Sequence, residues 1–341
     1  MTCKLILRVY NNIFYFQMKS FAFAAVISAT NALSAIEFEY MNYCAEFNKV
    51  TNDVEEFNFR LSNFASTDAF VKENNSGNET HVAGHNQFSD WSHAEYKNIL
   101  GYVRGERDVR NVQIFDESMN AETVNWTTAG AVTPVKDQGQ CGSCWAFSTT
   151  GSLEGAHFVA SGELLSFSEQ QLVDCAYIKY GNYGCNGGLQ DNAYKYYEAG
   201  YKAELESVYP YTSGAGQRGT CSYDESSATA VTVSSYVDVT PSSPTQMKAA
   251  LTTQPLAVAI EADKYVFQTY KSGVLTSDKC GTTLDHAVLA VGYGSDNGQD
   301  YWLVKNSWNT TWGDQGYIKL GMDSSNGTCG VQIDPNQPTT N

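Results

Sequence analysis

Residues 138–148 read Gln-Gly-Gln-Cys-Gly-Ser-Cys-Trp-Ala-Phe-Ser. The second cysteine, Cys144, opens a run to Gly155 whose Trp145, Ala146, Phe147 and Leu153 suit a buried helix. A thiol at a helix N-terminus lies in the partial positive charge of that terminus, which favours the thiolate. Far downstream, His286 stands in Leu284-Asp-His-Ala287 and Asn306 in Lys305-Asn-Ser-Trp308. Thiol-based acyl transfer needs a nucleophile, a base to take its proton and a group to orient that base, which Cys144, His286 and Asn306 supply. Gln138 extends the set: its carboxamide and the Cys144 N–H are the two donors that a tetrahedral oxyanion requires.

Other readings compete. Cys141-Gly-Ser-Cys144 has the spacing of a redox dithiol or half a zinc site. Either leaves the flanking Gln-Gly and Trp unexplained, and the redox reading needs Cys141 free to resolve Cys144. A catalytically silent binding or inhibitory protein is the alternative from another class, but such a chain betrays itself by losing Cys, His or Asn, and all three are present. His157 belongs to no motif and reads as structural.

The chain has 341 residues, 42% of them hydrophobic, enough for about two domains with sizeable cores. It carries 21 basic against 37 acidic residues, a net charge of −16, with no basic stripe, so nucleic acid is not an expected partner. Phe21–Ala29 is an apolar run of signal-peptide length, preceded by Lys19 and followed by Ala32, Ser34 and Ala35. Residues 1–35 therefore read as a signal region, with Met18 a natural alternative start. No later run is long and apolar enough for a membrane anchor. Five sequons, at Asn74, Asn78, Asn125, Asn309 and Asn326, permit glycosylation of a secreted chain. Setting aside Cys3, Cys44 and Cys144 leaves six cysteines, Cys141, Cys175, Cys185, Cys221, Cys280 and Cys329, whose pairing is open from sequence alone.

Residues 36–119 read as helical and charged. Glu56, Arg60, Phe64, Thr67, Val71 and Asn75 recur at helical offsets and share a broad face. Further on, Ser168 to Asp174 has a capping-box-like start. Thr229–Val239 and Leu256–Ile260 read as strands, and Val288–Tyr293 with Tyr301–Val304 flank a polar Gly-Ser-Asp-Asn-Gly turn as a hairpin.

With Val124-Asn-Trp126, Cys185-Asn-Gly-Gly188, Val291-Gly-Tyr-Gly294 and Tyr301 to Trp308 added, the chain resembles the papain-like cysteine peptidases, in their cathepsin L-like branch. The helical set resembles the spaced Glu-Arg-Phe-Asn-Ile-Asn motif of their propeptides, with Thr67 and Val71 substituted. Gly84, Asn86, Phe88 and Asp90 match the family's Gly-x-Asn-x-Phe-x-Asp motif. An independent helical domain is the competing reading of this region. The resemblance implies an α+β, two-lobed fold: an inhibitory propeptide over 36–119, then a peptidase domain over 120–341. It implies Cys144 on the helical lobe, His286 and Asn306 on the β-rich lobe, and disulfides Cys141–Cys185, Cys175–Cys221 and Cys280–Cys329. It places Gly187, Gly188, Leu189, Gln190, Ala259, Leu284, Ala287 and Asp334 along the substrate cleft. Asp334 stands at the floor of the P2 pocket, where relatives carry a small residue; the competing reading turns it to solvent. Asn125 and Asn309 stand where Asp and Gly are usual. The implied protein is a cysteine endopeptidase made as a zymogen in the secretory pathway, destined for a lysosome, an acidic digestive vacuole or secretion. Its partners are polypeptide substrates, its own propeptide and cystatin-like inhibitors. It works as a monomer, with no cofactor and no metal.

Overall fold

The structure is a computed structural model describing residues 33–103, 111–276, 278–323 and 325–341. Phe21–Ala29, Met18 and Cys3 lie outside the described residues.

The N-terminal helices start where the sequence caps them. Ser34 and Glu37 exchange bonds in a capping box at the head of α1 (Ala35–Glu46). Asp53 accepts from the Glu56 N–H to open α2 (Val54–Ser76), whose first turn carries Glu55 and Glu56. All six residues of the spaced set lie on α2, and Phe64, Thr67 and Val71 are buried. Phe64 forms a core with Tyr40, Tyr43 and Cys44 of α1. Four buried side chains are too few to hold such a region alone.

What it docks on supplies the rest. Strand β1 (His81–Ala83) pairs with β6 (Tyr270–Leu275), His81 opposite Gly273. Helix α3 (His93–Lys97) begins at a second capping box, Ser92 with Glu95. Strand β2 (Val112–Gln113) pairs with β4 (Val233–Val239). The sheet runs β1, β6, β9 (Tyr317–Gly321), β8 (Gln299–Lys305), β7 (His286–Asp296), β5 (Leu256–Ile260), β10 (Asn336–Thr340), β4, β2, so two short strands from the N-terminal third of the chain cover both of its edges.

After β3 (Val124–Asn125) comes the helical lobe. Its helix α4 (Cys144–Ser161) is buried from Cys144 to Ala156 and ends at Gly162, which takes the left-handed conformation at φ 78°. It runs a turn and a half past the expected Gly155. Helix α5 (Glu169–Cys175) starts at Ser168, whose hydroxyl accepts from the Gln171 N–H. Only half of the expected capping box forms, because the Gln171 carboxamide turns to Tyr196 and Lys202. Helix α6 (Gln190–Glu198) and the aromatic rings of Phe167, Tyr194 and Tyr196 complete this core.

The second lobe is mostly sheet. After β4, which starts at Val233 rather than the expected Thr229, helix α7 (Pro244–Thr253) leads into β5 (Leu256–Ile260). Strands β7 (His286–Asp296) and β8 (Gln299–Lys305) form the expected hairpin, turning at Asn297 and Gly298 with φ 51° and 82°. Strands β9 (Tyr317–Gly321) and β10 (Asn336–Thr340) complete it. The register of β5 against β7 sets Ile260 opposite His286, at the end of β7 facing α4. Disulfides join Cys141 to Cys185, Cys175 to Cys221 and Cys280 to Cys329, the pairs the resemblance implies.

Candidate active site

Cys144 opens α4 and His286 opens β7, so the groove between the lobes gathers both. The Ala287 N–H lies 3.4 Å from Cys144 Sγ, which sets the neighbouring imidazole beside the thiol. Asn306, at the end of β8, faces the ring: its Oδ1 is 2.8 Å from His286 Nε2 and also accepts from the Ser307 N–H at 2.8 Å. Two donors converging on Oδ1 make Nε2 the protonated nitrogen and leave Nδ1, which makes no hydrogen bond, as the basic one. Trp308 stacks on the imidazole, centroids 4.6 Å apart, and keeps water from the Asn306 bond.

Gln138 is aimed by its oxygen. Oε1 accepts from Ser307 Oγ at 2.7 Å and Trp308 Nε1 at 3.1 Å, so Nε2 points into the groove. Tyr211 holds the same loop, donating to the Gln138 carbonyl at 2.9 Å with its hydroxyl 2.8 Å from Ser143 Oγ. Ser307 and Tyr211 escaped the sequence reading because their roles exist only through Gln138. A buried ionic cluster behind the site escaped it too: Lys136 Nζ lies 3.1 Å from Glu154 and 2.6 Å from Glu169.

The groove is filled by the propeptide. Gln138 Nε2 donates to the Ile99 carbonyl at 2.8 Å, and the Gly101 N–H lies 3.3 Å from Cys144 Sγ. Gly188 donates to the Gly101 carbonyl at 2.9 Å and accepts from the Val103 N–H at 3.2 Å, while Gly187 sits against Val103 at φ 104°. Tyr102 is buried in a cluster with Ala259, Leu284 and Ala287, bordered by Leu189, and its hydroxyl bonds to Asp334 Oδ2. Asp334 is 1% exposed, so the solvent-facing alternative for it fails. Gln190 departs from its expected place on the cleft wall. Its carboxamide donates to Ser148 Oγ at 3.1 Å and the Val258 carbonyl at 3.2 Å, which engages it in the seam between the lobes.

The propeptide motifs explain the grip. Arg60 makes a bidentate pair with Glu95, both bonds 2.8 Å, and Glu56 binds Asn52 beside it. Asp90 accepts from Lys49 at 2.8 Å and Tyr43 at 3.1 Å. Asn86 Nδ2 donates to the Gln268 carbonyl at 2.7 Å, and Phe88 meets Trp308 edge-on at 5.1 Å. Gly84 lies against Lys271, where an added Cβ would stand 2.8 Å from Cδ.

This cover reverses the electrostatics expected of a free thiol at a helix N-terminus. Burial pushes the Cys144 thiol up to about 12, against the lowering by the Ala287 and Gly101 N–H groups. Burial also pulls His286 down to about 4, against the Asn306 bond. Under the propeptide the pair is a neutral thiol beside a neutral imidazole.

The geometry defines a thiol peptidase held shut by its own N-terminal region, and the comparisons agree. Residues 120–339 match the papain family cysteine protease, and residues 40–96 the cathepsin propeptide inhibitor domain (I29). The chain belongs to the papain family of cysteine proteases and is made as a zymogen. It is 42% identical to digestive cysteine proteinase 1 of Homarus americanus over 315 residues, 90% of this chain and 96% of that one. It is 40% identical to cathepsin L of Sarcophaga peregrina over 336 residues, 93% and 97% of the two chains. The structure of digestive procathepsin L 3 from Tenebrio molitor larval midgut aligns with a TM-score of 0.80 and 35% identity, over 90% of this chain and 99% of that one. No helix among the described residues is long and apolar enough to cross a membrane.

Proposed function

We propose that Cys144, His286, Asn306 and Gln138 are the catalytic residues of an endopeptidase. The observation that carries this is Gln138 Nε2 already donating to a peptide carbonyl, that of Ile99, beside a thiol flanked by an Asn-oriented imidazole. Once the propeptide leaves, water enters the groove and the thiol proton passes to His286 Nδ1. Sγ then adds to the scissile carbonyl carbon, and the oxyanion accepts from Gln138 Nε2 and the Cys144 N–H. Collapse breaks the C–N bond, with the Nδ1 proton going to the leaving amine, and a thioester remains. Water, losing a proton to His286, adds to the thioester carbonyl. Collapse breaks the C–S bond and frees the acid.

The same reading covers specificity. Tyr102 in the pocket of Leu189, Ala259, Leu284 and Ala287 supports a bulky apolar preference at P2, and Asp334 at the floor adds affinity for a donor tip, Tyr or Arg. After residue 120 the only other histidine is His157, bonded to Ser161 on α4, which supports an open cleft and internal cleavage. The name of one relative, a digestive cysteine proteinase, supports a digestive setting; secretory transit to a lysosome or to the outside, a monomeric enzyme and block by cystatin-like inhibitors belong to the same proposal. To test the catalytic set, the acid-processed protein is incubated with a thiol-directed epoxide and a fluorogenic peptide. Stoichiometric labelling at Cys144 with loss of cleavage is expected; cleavage that survives full labelling refutes the assignment. In matched substrates, Asp334→Ala is expected to lower the Arg/Leu and Tyr/Leu ratios at P2. Unchanged ratios remove Asp334 from the pocket.

A further inference from the structure

Asn309 takes a left-handed conformation, φ 61°, directly after Trp308. Asn is among the few residues besides Gly that tolerate this geometry, so the backbone alone accounts for Gly or Asn here. It does not account for Thr311, which makes the turn an Asn-Thr-Thr sequon. Asn309, Thr310 and Thr311 are all exposed. Asn309 Oδ1 is occupied by the Thr310 N–H at 2.6 Å, whereas Nδ2 reaches only Asp137, at 3.5 Å.

The other sequons differ. Asn74 is 6% exposed on α2, and Asn78 departs with the propeptide. Asn326 is half-buried, its Oδ1 bound to Ser242 at 2.8 Å. Asn125 is exposed, but β3 pairs with the middle of β7, Asn125 opposite Gly292, away from His286. Asn309 alone among them borders the groove.

Its side of the groove is fixed by the propeptide. Tyr102 fills the pocket on one side of Cys144. On the other side lie Ile99, Trp308 and Gln87, whose Nε2 donates to the Trp308 carbonyl at 2.6 Å and whose Oε1 accepts from Thr311 Oγ1 at 3.0 Å. A substrate with P2 in the Tyr102 pocket carries its leaving-group residues over that second side.

We propose that Asn309 carries an N-linked glycan, which fences the leaving-group side of the cleft and disfavours leaving segments that run several residues along it. The transfer joins Nδ2 to the anomeric carbon of a polyisoprenyl-pyrophosphate oligosaccharide from the secretory membrane. The anomeric C–O bond breaks, lipid pyrophosphate leaves and the amide loses one proton, keeping the other N–H toward Asp137. This rests on the secreted, endopeptidase reading above.

The full chain is expressed in a secreting eukaryotic cell and matured, and its glycans are removed by an amidase in ¹⁸O water, which leaves labelled Asp at every occupied site. Label at Asn309 is expected. Native enzyme and N309G, which suits the left-handed turn, are then compared on peptides with four leaving-side residues and on a dye-amide substrate with none. N309G and enzymatically deglycosylated native enzyme are both expected to gain at least about threefold in kcat/KM on the long peptides, with the dye substrate within about twofold. Label at Asn125 or Asn326 without label at Asn309 overturns the proposal while leaving secretion intact. Absence of label at every sequon in protein recovered from the medium overturns it, whereas failure of the chain to reach the medium counts against secretory transit. Label at Asn309 with equal long-to-short ratios overturns the fence.

Discussion

Gly101→Ala is expected to open the zymogen. The Gly101 N–H and C=O bond to Cys144 Sγ and to Gly188, and an added Cβ would stand 1.8 Å from the Gly142 carbonyl oxygen and 2.4 Å from its carbon. Those are backbone atoms in a loop tied by Cys141–Cys185, so the propeptide must lift rather than the loop retreat. Lifting forfeits the two Gly101 hydrogen bonds and the Tyr102 bond to Asp334, at about 0.5–1.5 kcal/mol each. It also exposes the Tyr102 ring, at about 1.5–3 kcal/mol. The total, about 3–7.5 kcal/mol, shifts the ratio of covered to open protein by roughly 10²–10⁵. Tyr102→Ala, which keeps the backbone bonds, should shift it by only about 30–2,000-fold.

The assay is Cys144 alkylation in the intact zymogen at neutral pH, located by peptide mass spectrometry and normalised to the mature enzyme. Native zymogen should label slowly, Tyr102→Ala faster and Gly101→Ala nearest the mature rate. A Gly101→Ala zymogen labelling at the native rate would show that Ile99–Val103 does not control access to the thiol.

Lys136→Met leaves Glu154 and Glu169, 2% and 1% exposed, without their shared cation. It should cost about 3–5 kcal/mol in denaturant unfolding, and a loss below about 1 kcal/mol would refute the pairing. Tyr211→Phe removes one clamp on Gln138 and should lower kcat about 2–10-fold with KM nearly unchanged; a change confined to KM argues against an oxyanion-side role. His81→Phe should shift the acid-triggered exposure of Cys144, read by the same alkylation, to lower pH. An unaltered pH profile would clear His81 of any part in it.

The sequence disclosed whatever is written in one contiguous stretch. Cys144 at a helix start, the β7–β8 hairpin with its Asn-Gly turn, and the cap at Ser168 depend on neighbours within a few residues, and local rules find them. Thr229 lost its place in β4 because β10, the partner strand, reaches only to Val233. Gln190 and Gln171 went elsewhere than expected because a long carboxamide chooses among partners that only the packed lobes bring near. The largest omission was the stretch Ile99–Val103. Nothing in its composition marks it; its role comes from lying across a groove built by residues far downstream. The helix terminus beside the thiol was visible in the sequence, and so was an inhibitory propeptide; how deeply the covered thiol is buried was not.

That cover is expected to loosen in acid, and the groups that would carry the pH dependence can be named. Covered, the catalytic pair is a thiol and a neutral imidazole; open, it becomes thiolate and imidazolium. Both states hold one proton, so the conversion moves a proton without binding one, and the pair adds no pH slope across the range where each form persists. The slope must come from groups whose protonation differs between docked and free propeptide. Two histidines fit. His81 is 3% exposed with neither ring nitrogen bonded, and burial holds it below its ordinary 6.5, with Glu79 opposing and Lys279 reinforcing the shift. His85, stacked on Phe64, is also lowered by burial, against the Asp68 carboxylate 3.3 Å away and with Lys72 reinforcing. A histidine lowered on docking binds fewer protons docked than free. Its contribution to docking is therefore whole above about pH 6.5 and fades as pH falls below it. His81 sits where β1 pairs with β6, so a charge there acts on the strand that holds the propeptide to the sheet edge. Acid thus acts first on the dock, and the catalytic ion pair follows the water that enters when the dock fails.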